Sequence, residues 1–191
     1  MPLSIWTQPT GYQFTNNGQP FPEQVAVNIP LPVTTINLTF TVISGALPGG
    51  LLIKNGHIIG SPFVTEGIQT YNFCIRASST ASSTAARFDA GKFIPGGNTT
   101  GTYLVGMTLT GSGIPVGTYI VSDNGDGTFA VNITKNITSV VTNGSGFADR
   151  TFTMQVNGAN APIFLTPAGN LPVGVHQQLY TLDSNFVAYQ I

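Results

Sequence analysis

The feature that most restricts the fold of this chain is strict two-residue alternation, with no segment sustaining a 3.6-residue period. Leu38, Phe40 and Val42 alternate with Thr39 and Thr41; Tyr71, Phe73 and Ile75 alternate with Asn72, Cys74 and Arg76; Phe152, Met154 and Val156 alternate with Thr153 and Gln155. Successive side chains of an extended strand point to opposite faces, so these runs read as half-buried strands. The pattern returns as Tyr103, Val105, Met107 and Leu109, then Tyr119 and Val121, then Phe129, Val131 and Ile133, with GSGIPVG and DNGDG as the intervening turns. Short strands joined by Gly-rich turns predict an all-β sandwich or small barrel. The one candidate helix is a short one in SSTASSTAARF, where Ser and Thr work against helix formation.

Charge narrows the partners. Only 7% of the 191 residues are charged, against roughly 25% in ordinary soluble domains, so the surface is built of hydroxyl and amide groups. Six basic residues and a net charge of -1 provide no phosphate-tracking stripe, and no nucleic-acid partner is expected. So little charge gives weak protection against self-association, which predicts a homo-oligomer or a surface covered by other subunits. The start, MPLSIWTQPTGYQF, has neither the basic nor the apolar region of a secretory signal, and no run approaches a membrane span, so no membrane insertion is expected. Cys74 is the single cysteine, which rules out an internal disulfide; within YNFCIRA it reads as a buried structural thiol.

The stretch ALPGGLLIKNGHIIGSP places a Pro-Gly turn at Pro48, Gly49 and Gly50, an Asn-Gly hairpin at Asn55 and Gly56, and an exit at Gly60 and Pro62. Together with GIQTYNF at 67–73, it resembles the Putative Ig domain family of bacterial surface and phage proteins. The family pattern is roughly LPxGL, a strand, a turn, GxIxGxP and a GxYxFxVxA strand, and ADRTFTMQV at 148–156 is similar to its closing strand. The resemblance implies an Ig-like β-sandwich with Leu52, Ile58, Tyr71, Phe73, Phe152 and Met154 in the core.

In that family the closing strand follows after a short loop. Here residues 79–146 intervene, and they read as a small β-module inserted into a loop of the first, which would then comprise 1–78 plus 147–157. Residues 158–191 read as a linker and a partial second Ig-like unit or subunit-pairing tail. IFLTPAG at 163–169 weakly repeats the register of IWTQPTG at 5–11, and NFVAYQI reads as a strand that ends before its module is complete. Either the parent chain continues past Ile191 or the tail pairs with a neighbour.

The composite is similar to structural proteins of tailed phages, particularly T4-like marine cyanophages. That resemblance implies a non-enzymatic virion component of the tail, baseplate, neck or fibre, assembled in the host cytoplasm, with other virion proteins as partners. The alternatives are a receptor-binding module for a host surface glycan, a capsid decoration protein, and a fragment of a bacterial surface adhesin.

Chemistry-bearing residues are sparse, and the sequence implies no catalytic residues, metal or cofactor. Asp123 and Asp126 in DNGDG lack the alternating oxygen ligands and distal Glu of a calcium loop, and read as a hairpin turn. His57 follows the Asn-Gly turn and His176 lies in PVGVHQQ, neither near a second ligand type. Sequons at Asn37, Asn98, Asn132, Asn136 and Asn143 read as chance in an Asn/Thr-rich chain. Trp6, Tyr12 and Phe14 offer either a sugar-stacking platform or, as the plainer reading, an anchor for the first strand.

Overall fold

Two strands of unusual length form the frame, and their burial explains why. In the computed structural model, which describes residues 2–63, 65–158, 180–182 and 188–190, β7 (Ile68–Asp89) pairs antiparallel with β13 (Ile137–Asn157). Their register runs from Ile68↔Asn157 to Phe88↔Ile137, and β7 alone spans roughly 70 Å at the usual rise per residue. Phe73, Ile75, Ala77, Ser79, Ala81 and Ser83 all turn inward on β7. Even-numbered residues from Val140 to Val156 do so on β13, apart from the half-buried Gly146 and Arg150.

One end of this spine builds a sandwich. On its flanks lie β1 (Tyr12–Phe14) and β2 (Phe21–Pro22), both parallel to β13, and β4 (Thr39–Gly45), antiparallel to β7. A three-stranded sheet of β3 (Val27–Pro30), β6 (His57–Gly60) and β5 (Leu51–Lys54) supplies the other face. Between them Phe14, Phe21, Leu31, Ile58, Phe73, Ile75, Phe152 and Met154 form one core. Trp6 fixes the N-terminal arm to it, its ring 5.2 Å from Phe152 and its Nε1 donating to the Ala148 carbonyl at 3.0 Å.

The other end closes on itself. β8 (Lys92–Ile94), β12 (Phe129–Val131) and β11 (Ile120–Asp123) follow β7 in hydrogen-bonded order. The start of β11 returns to β10 (Thr108–Thr110) through Thr108↔Tyr119 and Leu109 N donating to Thr118 O at 2.8 Å. β10 pairs with β13, completing a six-stranded barrel, while β9 (Thr99–Gly101) adds to β7 outside that ring. Phe88, Phe93, Tyr103, Met107, Leu109, Ile120 and Phe129 fill the barrel.

The boundaries expected at 78/79 and 146/147 lie inside strands and opposite each other, at Ser78↔Phe147 and Ser79↔Gly146. No loop stands there; the β7–β13 strand pair runs through both cores, and residues 1–158 form one compact unit. Residues 159–191 form a second unit, whose described part is an antiparallel pair of β14 (Tyr180–Leu182) and β15 (Ala188–Gln190). The repeat at 163–169 and His176 lie outside the described residues.

Two further expectations fail. SSTASSTAARF forms the second half of β7, because Ser79, Ala81 and Ser83 fit a narrow buried face while strand pairing satisfies their backbone. Leu52 is 51% exposed and is not core: in β5 the alternation turns Leu51 and Ile53 toward the core and Leu52 and Lys54 away.

Candidate interaction surfaces

The 46–62 stretch is an architectural device. Leu51 N donates to Pro48 O at 3.1 Å across Gly49 and Gly50, and Gly50 has φ +86°, the third position of a type II-like turn. A Cβ on Gly49 would lie 2.8 Å from the Phe63 ring, and one on Gly50 would collide with the Ser61 carbonyl oxygen. A Cβ on Gly60 would in turn meet the Gly50 carbonyl, so both turns close on each other through their glycines. Asn55 and Gly56 have φ +51° and +74°, as a type I′ hairpin requires, and Pro62 passes its carbonyl to Gln24 N at 2.8 Å. His57 Nδ1 lies 3.0 Å from Asn55 O, on that same turn. Of the residues expected in the core, Ile58, Phe73, Phe152 and Met154 meet in the sandwich and Tyr71 packs half-buried at its margin.

Most polar side chains that could have carried chemistry hold loops. Asp123 accepts from Gly125 N at 2.8 Å, and Asp126 accepts from Thr128 N at 3.0 Å and from the Thr128 hydroxyl. The Thr128 bonds, and then Lys92, keep the Asp126 carboxyl below the usual carboxylate range. Asn132 accepts from Tyr119 N and donates to Gly117 O, and Asn136 accepts from Ala90 N. Among the described residues no group of three or more His, Cys, Asp or Glu side chains is placed to hold a metal. Phe14 is buried against Phe73 and Phe152, with Tyr12 edge-on to it, so the first aromatics anchor the arm and form no platform.

The surface that sequence reasoning missed is the outer face of the spine. Across it Gln13 donates to Gln155, Gln155 to Thr70, and Thr153 to Asn72, a ladder of neutral polar pairs. Arg76 donates to both oxygens of Asp149 at 2.8 Å and lies 3.9 Å over the ring of Phe147, which is 49% exposed. That bidentate bond lowers the Asp149 carboxyl and raises the Arg76 guanidinium. Cys74 also faces this side, half-buried and not in either core; partial burial and then Asp149 push its thiol up. Where the two cores meet, two cavities of about 600 and 420 Å³ share Thr80 and Ser145 and join into a hydroxyl-lined trough running from Phe147 to Ser82 and Asn143. The alternation in FADRTFTMQV placed Phe147, Asp149, Thr151 and Thr153 on one face, a signal in plain view once that face is seen to be uncovered.

Among the described residues the fold is all-β with no helix, and one end of it is an Ig-like sandwich. Residues 4–91 match the family described as Putative Ig domain, a segment that runs from the N-terminal arm through the whole of β7. Neither a curated protein nor a solved structure gives a match.

Proposed function

We propose that this chain is a non-enzymatic structural protein of a tailed-phage virion, an assembly or attachment module of the tail, baseplate, neck or fibre. The observation that carries this reading is the character of the surface. With 7% charged residues, the described body leaves Ile36, Phe63, Val116, Val141 and Phe147 exposed to solvent on a surface built largely of hydroxyl and amide groups. Such a surface is stable against aggregation when other subunits cover it. Asp123, Asp126, Asn132 and Asn136 are committed to holding loops, which also favours scaffolding over catalysis. The phage assignment itself rests on the similarity of the composite sequence.

The test is protein composition and electron microscopy of purified particles of a phage encoding the chain. A fixed copy number per tail, with the fold placed in tail density, supports the reading. Absence from particles, association with the shell alone, or display on a bacterial surface would each replace it with a different one.

The trough favours a second reading, recognition of a neutral host glycan, because aligned hydroxyl and amide groups beside a half-exposed aromatic ring suit a sugar's polar edges and apolar face. Glycan-array binding by the full chain that disappears in Phe147→Ala and Asn143→Ala would support it; silence across neutral polysaccharides would dismiss it.

A further inference from the structure

Sheet edges are where a β protein meets other chains, because each presents a row of unpaired backbone N–H and C=O groups. Most edges of residues 2–158 carry something that discourages pairing. β3 ends in Pro30, β5 in Lys54 and β2 in Pro22, β1 is three residues long, and the barrel strands close on one another. β4 differs. Its sequence TFTVISG has neither charge nor proline, and it pairs with β7 on one side. Among the described residues its other edge has no ladder partner. The β4–β7 register is regular from Thr39 to Val42 and shifts at Ile43. The inner-face residues Leu38 and Phe40 line an open cavity of about 480 Å³, shared with Leu31, Val33 and Ile36. Two exposed apolar side chains flank the strand: Ile36, 80% exposed, before it and Ile43, 44% exposed, within it.

The geometry points to a second copy of this chain as the occupant of that edge, with two β4 strands paired antiparallel across a two-fold axis at Thr41. Thr41 then faces Thr41, and Phe40 faces Val42 of the second copy on the cavity side, so both half-buried side chains gain an apolar neighbour. The absence of charge leaves no like pair to oppose across the axis. The nearest cation, Arg76, sits opposite Thr41 in the β4–β7 ladder and is already held by Asp149. The same symmetry sets Ile43 of each copy opposite Thr39 of the other. A neutral edge gives a foreign strand little to recognise, whereas self-pairing matches it by symmetry alone. This deepens the assembly reading by naming the first partner.

Sedimentation of the full chain reads the prediction directly. The expected mass is twice the 20.0 kDa of the chain, falling to a single chain in Thr41→Glu, which sets two carboxylates opposite each other across the axis while each keeps Arg76 beside it. Thr41→Lys also gives single chains, and mixing the two variants restores the dimer. Independently, Thr41→Cys in a Cys74→Ser background cross-links two copies on oxidation, because opposed residues of an antiparallel pair lie within disulfide reach. A wild-type chain that sediments alone overturns the inference, as does a dimer that survives both charge variants and does not cross-link at 41. These experiments use the isolated chain and the assembly reading is tested on particles, so either can fail without the other.

Discussion

At the scale of single residues, stability hinges on positions where a side chain is either forbidden or fully enclosed. Gly50 is of the first kind. With φ +86° and the Ser61 carbonyl where a Cβ would go, Gly50→Ala costs about 2–4 kcal/mol from backbone strain and displacement together. Gly113, at φ +77° with open space around it, isolates the backbone part, and Gly113→Ala costs about 1 kcal/mol. Equal losses for the two in urea denaturation would show that the close approach at Gly50 contributes nothing. Tyr103 is of the second kind: 4% exposed, it donates its hydroxyl to Thr142 O at 3.0 Å, and burial pushes its pKa from 10.0 up to about 12. The folded state holds the phenol proton more tightly than the unfolded chain does. Its contribution is therefore complete below pH 10 and is lost as pH rises through 12. Tyr103→Phe costs about 1 kcal/mol at pH 7 and flattens the alkaline decline. Denaturation at pH 7 and pH 11 checks both, and an unchanged decline in the variant assigns the titration to another group.

At the scale of elements, the N-terminal arm acts as a missing strand. β13 has β10 at one end and β1 at the other, and between them the arm supplies Leu3 N to Phe147 O, the Trp6 indole to Ala148 O and Gly11 N to Thr151 O. Trp6→Phe keeps an aromatic ring and removes the middle bond, at a cost of about 1 kcal/mol. Hydrogen exchange at the Leu3 and Gly11 amides should accelerate ahead of the sandwich core; unchanged protection there would mean that apolar packing alone holds the arm. Elements are also where sequence legibility divides. Tyr71, Phe73 and Ile75 against Asn72, Cys74 and Arg76 announce a strand, because large apolar and polar side chains alternate. Ser78 to Ala86 hides one, because small residues on both faces erase the contrast on which the period depends. Leu51-Leu52-Ile53 hides its outward member for the opposite reason: a continuous apolar run has no contrast either. The glycine turns of 46–62 were legible because positive φ demands particular residue types. The outer-face trough and barrel closure were not, since both depend on pairings between residues distant in sequence, such as Thr108 with Ser145 and Tyr119.

At the scale of the whole described body, the question is whether two cores behave as two domains. β7 and β13 pass through both without a break, so melting the ladder in the barrel removes neighbours from the same strands in the sandwich. A linker would allow independent unfolding; a shared strand pair couples the cores and predicts one cooperative transition. Phe93, fully buried among Phe88, Tyr103 and Phe129, lies deep in the barrel, while Ile58, on the central strand β6 of the three-stranded sheet, belongs to the sandwich core. Phe93→Ala costs about 3–5 kcal/mol through the cavity it leaves. If the cores are coupled, the β6 amides lose hydrogen-exchange protection by that full amount, although the substitution lies in the other core. If they keep their wild-type protection while far-UV dichroism acquires an earlier step, the barrel unfolds alone and the β7–β13 ladder transmits no stability between the cores.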